Sequence, residues 1–139
     1  MSMELSPDAV RTAGILLVTL VAVAFGGTFL LRVVRGSEAA TPFQQAFFRA
    51  GHAHAGVLVL LALVVQLYVD ASGLDGVWRR IAAQGVPLAA ILMPAGFFLS
   101  ASGRGRTRPN RFVVLIWLGA ASLAAGVTTL GVGLLAGSP

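Results

Sequence analysis

Four stretches without a charged side chain, residues 13–31, 50–69, 81–102 and 112–137, decide what this chain can fold into. They are 19, 20, 22 and 26 residues long, and about 17–25 apolar residues suffice to cross the roughly 30 Å hydrocarbon core of a bilayer as a helix. Backbone amides find no water in lipid, so a spanning segment must satisfy its own hydrogen bonds. The expected fold is therefore all-α: a polytopic membrane protein, one four-transmembrane-helix bundle over residues 1–139, with helices at about 7–34, 42–70, 76–102 and 111–136. The first stretch is longer than the apolar core of a cleaved signal peptide and follows a segment made acidic by Glu4 and Asp8, so it reads as a retained span.

Composition narrows the chemistry. Hydrophobic residues make up 57% of the chain and charged residues 11%, against about 45–50% and 25% in soluble domains. The absence of cysteine removes disulfides, thiolate metal sites and cysteine nucleophiles. All ten basic residues are Arg, set against five acids for a net charge of +5. These arginines border apolar blocks instead of lining one face, which argues against nucleic acid as a partner. Arg without Lys, beside abundant Ala, Gly, Val and Leu, suggests a GC-rich bacterial genome.

Arginine placement gives an orientation. Arg32, Arg35 and Arg49 surround the first loop, and Arg104, Arg106, Arg108 and Arg111 the third; only Arg11, Arg79 and Arg80 lie on the other side. The positive-inside rule then puts loops one and three in the cytoplasm and both termini outside, in a bacterial cell membrane. Phe43, Phe47, Phe48 and Trp117 fall near the inner interface, Tyr68 and Trp78 near the outer one.

Local signals mark the helix ends. Ser6-Pro7 has the form of an N-cap followed by proline, Thr41 and Gln44 have capping-box spacing, and Asn110 is placed to cap the fourth helix. Gly85 and Pro87 are expected to part an interfacial turn at residues 75–84 from the third span, and Pro94 to kink it. Gly26 and Gly27, with Gly126, Gly131, Gly133 and Gly137, are expected at helix contacts. Residues 27–36 match 96–105 at five of ten positions, an offset of 69 that would relate two helical hairpins. In so simple an alphabet this reads as chance. Were it real, His52 and His54 would align with Ala121 and Leu123.

The polar chemistry lies on the second helix. Gln45, His52, Gln66 and Asp70 fall within about 40° of one direction at 100° per residue, with Arg49 about 60° away. Ionisable groups within a span are costly and usually face protein, so Arg49, His52, His54, Gln45, Gln66 and Asp70 are the candidate ligand or proton site. The competing reading has both histidines packing helices and bonding a nearby carbonyl or lipid phosphate. His52 and His54, the candidate metal ligands, stand two residues apart and point oppositely on a regular helix, so they cannot share one ion without distortion. At the level of His52 the neighbours are Thr28, Arg32, Ser100 and Trp117, none a strong transition-metal ligand. A symmetric homo-oligomer would supply four histidines.

The Arg49-x-x-His52-x-His54 spacing locally resembles a histidine-bearing helix of the haem–copper oxidase superfamily, where Arg and His near one end of a span accompany low-spin haem ligation. The resemblance implies a b-type haem at His52 or His54 with Arg49 near a propionate. The chain lacks the further histidines of a complete oxidase subunit. As a whole it is similar to small four-helix bacterial membrane proteins of unknown function. Three functional readings follow: an accessory subunit or packing partner in the lipid bilayer, alone or in a larger complex; a haem- or metal-binding respiratory accessory protein; and a small proton-coupled transporter. Enzymatic chemistry is the less favoured expectation, because no Ser-His-Asp set or carboxylate pair can be assembled.

Overall fold

The computed structural model describes residues 4–137. They form α1 (Pro7–Val34), α2 (Pro42–Val69), α3 (Gly76–Ser100) and α4 (Val114–Gly137), the last entered through a 3-10 turn, Arg111–Val113. No strand occurs among the described residues. The protein is an all-α four-helix bundle, and each helix is long and apolar enough to cross a membrane. The chain passes up and down, so one end of the bundle carries Ser6, Asp70 and Gly76, and the other Val34, Pro42, Ser100 and Arg111. These are called the Asp70 end and the His52 end below.

The helix starts are fixed by local hydrogen bonds. The Ser6 hydroxyl accepts from the Ala9 N–H, with Pro7 at the first helical position, where its missing N–H costs nothing. Thr41 and Gln44 close a full capping box: the Thr41 hydroxyl accepts from the Gln44 N–H, and Gln44 Oε1 accepts from the Thr41 N–H. Asn110 Oδ1 accepts from the Phe112 N–H, while its own N–H and amide bond the Ser100 and Leu99 carbonyls. One side chain thus caps the turn into α4 and ties it to the end of α3.

α3 departs from expectation. It runs unbroken from Gly76 to Ser100 through Gly85, Pro87 and Pro94. Gly85 is a contact point instead of a break: a Cβ added there would lie 2.6 Å from the Gly126 Cα, and the Ser122 hydroxyl donates to the Gly85 carbonyl at 2.8 Å. α4 presents Gly119, Gly126 and Gly133, one every two turns, to Met93, Gly85 and Leu74 in turn. A seven-residue spacing keeps one face of a helix toward its neighbour, and small residues there let backbones meet where lipid offers no hydrophobic drive for association. Gly131 and Gly56, by contrast, have open space around them.

α1 packs along α2, α2 along α3, and α3 along α4. The core lies toward the Asp70 end, where Leu16, Val59, Ala62, Val65, Ala82, Val86 and Leu130 are buried. Burial is uneven: 39% of the apolar window of α3 is buried, against 6% of that of α1. The bare flank of α1, with Val18, Val21 and Phe25 exposed, suits hydrocarbon as solvent.

The offset of 69 seen in the sequence is also a property of the elements. The N-caps Ser6 and Asp75 stand at that separation, and so do Thr41 and Asn110. The two hairpins pack differently all the same. Gly27 faces the ring of His52, whereas Gly96 sits against the backbone of Ile116.

Candidate functional site

At the His52 end the two histidines look to different helices. The Nδ1–Cε1–Nε2 edge of His52 lies against α1, where a Cβ on Gly26 would be 3.8 Å from Nδ1 and one on Gly27 3.6 Å from Nε2. His54 turns to α3 and packs on Phe97, with centroids 4.9 Å apart. Its Nδ1 donates to the Ala50 carbonyl at 2.7 Å, which leaves the lone pair on Nε2. Arg49 is exposed. The other residues at this level are occupied or turned outward: the Thr28 and Ser100 hydroxyls bond carbonyls of their own helices, the Arg32 guanidinium stands 6.0 Å over Phe29, and Trp117 is 72% exposed. Among the described residues no three His, Cys, Asp or Glu side chains gather where they could hold a metal ion.

This end is held by aromatic contacts and by one glutamine. Phe29 of α1, Phe48 of α2 and Phe98 of α3 meet within 5.2–6.4 Å, and Phe47 meets Phe97 at 5.4 Å. Phe47 and Phe48, expected along an interface, therefore also serve as packing between helices, while Phe43 packs on Phe47 of its own helix. Gly51 fits beneath the rings of Phe97 and Phe98; a Cβ there would come within 2.9 Å of the latter. Gln45, one of the candidate site residues, only reaches back to the Ala40 carbonyl. Its neighbour Gln44 is buried, and its amide donates to the carbonyls of Ala101 and Gly103, joining α2 to the loop after α3.

At the Asp70 end the polar groups converge. Asp70 is the C-cap of α2, where the helix dipole disfavours a carboxylate. The compensation comes from the other two helices. Oδ2 accepts from the Ser6 N–H at the positive end of α1 (2.7 Å), and Oδ1 is paired with the Arg79 guanidinium on the first turn of α3. Arg79 also donates to the Ser6 hydroxyl at 3.2 Å. Burial pushes the Asp70 carboxyl up, but the Ser6 N–H and the Arg79 guanidinium pull it further down, leaving it below the ordinary carboxylate value. Three helix ends are thus clasped on one ionised carboxylate.

Beneath the clasp α1 and α3 part over α2 and enclose a cavity of about 510 Å³. α1 supplies Asp8, Arg11 and Thr12 to its wall, and α3 supplies Arg79, Arg80 and Gln84. Gln66 of α2 lines it while only 2% exposed. The Gln66 amide nitrogen donates to the Ala83 carbonyl at 3.0 Å and approaches the Ala62 carbonyl at 3.5 Å. Two carbonyl acceptors fix that end as the nitrogen. Oε1 receives no hydrogen bond from any described residue, and no buried side-chain oxygen or nitrogen among these residues lacks a partner, so Oε1 opens on the cavity. Of the six sequence candidates the structure brings Gln66 and Asp70 to one place and keeps Arg49, His52, His54 and Gln45 apart from it. Arg11, Arg79, Arg80 and Ser6 complete that place; the sequence signal for them was three arginines on the side that should be poor in them.

The chain matches no protein family, no curated protein and no solved structure.

Proposed function

We propose that this is a small multi-pass protein of a bacterial cell membrane, both termini outside and loops one and three cytoplasmic, that binds a small ligand in the outward cavity at its Asp70 end. One observation carries the reading: Gln66, in the last turn of α2 and almost wholly buried, keeps an unbonded oxygen on a cavity walled by arginines. The volume is within the range of about 300–1,000 Å³ of small-molecule sites. Guanidiniums and a carboxamide hold ligands through charge and hydrogen bonds. We therefore read the protein as a binding component, an accessory subunit of a membrane assembly, rather than an enzyme.

The other readings have less support. A haem at His52 has to bind through a ring edge that faces Gly26 and Gly27 of α1, and one at His54 through the Nε2 of a ring packed on Phe97. A proton-coupled carrier calls for a titratable group at mid-span, where α2 holds Val59, Ala62 and Leu63.

The absence of cysteine makes the test direct. In intact cells an impermeant maleimide should label Thr12→Cys, in the cavity wall, and leave Thr107→Cys, exposed in the third loop, unlabelled until the cells are opened. The reverse pattern would invert the orientation and place the cavity in the cytoplasm.

A further inference from the structure

We propose that the cavity takes the headgroup of an anionic phospholipid, one that carries a phosphate and a free hydroxyl, with an acyl chain reaching across α3 into the groove between α3 and α4. The inference rests on the cavity being a ligand site, and three features give the ligand its chemistry. The first is charge. Three arginines line the cavity with one aspartate, Asp8, and of the three only Arg79 is taken, by Asp70 beside the cavity. Arg11 on α1 and Arg80 on α3 form no ion pair among the described residues, and they stand on opposite walls. Two guanidiniums from opposite sides suit a phosphate, whose oxygens accept in several directions. Asp8, on the same wall as Arg11, selects against a more highly charged anion.

The second feature is the Gln66 oxygen, an acceptor without a donor. An ionised phosphodiester has no proton to give it; a hydroxyl on the same headgroup has. The third is the route. The cavity runs down α1 as far as Ile15, which is 59% exposed. A second, almost wholly apolar groove of about 370 Å³ lies between α3 and α4, shares Arg80 and Gln84 with the cavity and descends past Ile81, Gly85 and Leu88 on α3 and Ala125 on α4. Its one hydroxyl, that of Ser122, is already given to the Gly85 carbonyl. A polar cavity at the helix ends joined to an apolar groove running toward mid-span fits a headgroup and its acyl chain, and a water-soluble phosphate has no use for the groove.

The test titrates the detergent-purified protein with short-chain phosphatidylglycerol, phosphatidylcholine of the same chain length, and glycerol phosphate, following thermal stability. Phosphatidylcholine bears a cation and no hydroxyl, so it is the stringent control. Phosphatidylglycerol should raise the melting temperature and the other two should not. Arg11→Gln and Arg80→Gln should each weaken its apparent affinity about tenfold, as the loss of one charge-assisted hydrogen bond does, while Arg104→Gln at the opposite end leaves it unchanged. Equal stabilisation by phosphatidylcholine, or titrations unaltered in both cavity variants, would overturn the proposal. Equal stabilisation by glycerol phosphate would overturn the lipid as its source. Failure here with Thr12→Cys still labelled refutes the ligand class and leaves the cavity standing; a Thr12→Cys that stays unlabelled even in opened cells removes the cavity reading itself.

Discussion

Ser6 and Asp70 meet as the N-cap of one helix and the C-cap of the next, the Ser6 N–H donating to Asp70 Oδ2 over 2.7 Å. Each end alone is electrostatically awkward: an unsatisfied N–H at the start of α1 and a carboxylate at the negative end of α2. Together with Arg79 they cancel, and the cancellation brings α1 and α3 to the same end of α2 and roofs the cavity.

The clasp makes stability depend on acid. Asp70→Asn keeps the shape but presents an amide to Arg79, and should cost about 1–3 kcal/mol, the range for a hydrogen bond to a charged group. The folded carboxyl titrates below its unfolded counterpart, so its stabilisation is complete above about pH 4 and lost as the pH falls through the folded value. Melting curves of the two proteins should run apart by a constant interval at neutral and mildly acidic pH and converge in strong acid. Convergence already near pH 6 would mean that another group governs the clasp.

Gly85→Ala and Gly126→Ala each push a methyl into opposing backbone, which cannot move aside as a flexible side chain would. Each should cost about 1–3 kcal/mol by overpacking. Gly131→Ala, four residues from Leu135 on the same helix and with nothing within 4 Å, should cost nothing measurable. Equal effects at positions 126 and 131, read from thermal unfolding in detergent, would contradict the α3–α4 seam.

His52 holds α1 by shape. His52→Ala should loosen α1 and leave the visible spectrum and metal content of the purified protein as they were. A Soret band, sharpened by dithionite and missing from the variant, would restore the haem reading.

The spans were legible because length and absence of charge act residue by residue, and the caps at Ser6, Thr41 and Asn110 because a cap bonds within a few residues. The packing was not. Gly85 next to Pro87 reads as a break in any local view, and only the position of Gly126 on another helix makes it a contact. Gln44 and Gln45 are equivalent on paper; the Ala101 and Gly103 carbonyls, far along the chain, decide which is buried. Helical periodicity puts Gln66 and Asp70 on one stripe with His52, but a stripe has no end. Which part of it faces a cavity depends on where α1 and α3 separate, and that is set by pairs more than sixty residues apart, such as Ser6 and Asp70.

The central claim is that water and anions reach Gln66 inside the span. Gln66→Cys and Ala62→Cys, one turn deeper and fully buried, separate the alternatives when treated in membranes with an anionic and a cationic methanethiosulfonate of similar size. The account predicts that position 66 reacts, faster with the anion because of Arg11 and Arg80, and that position 62 stays silent. A folded Gln66→Cys protein inert to both reagents would contradict it.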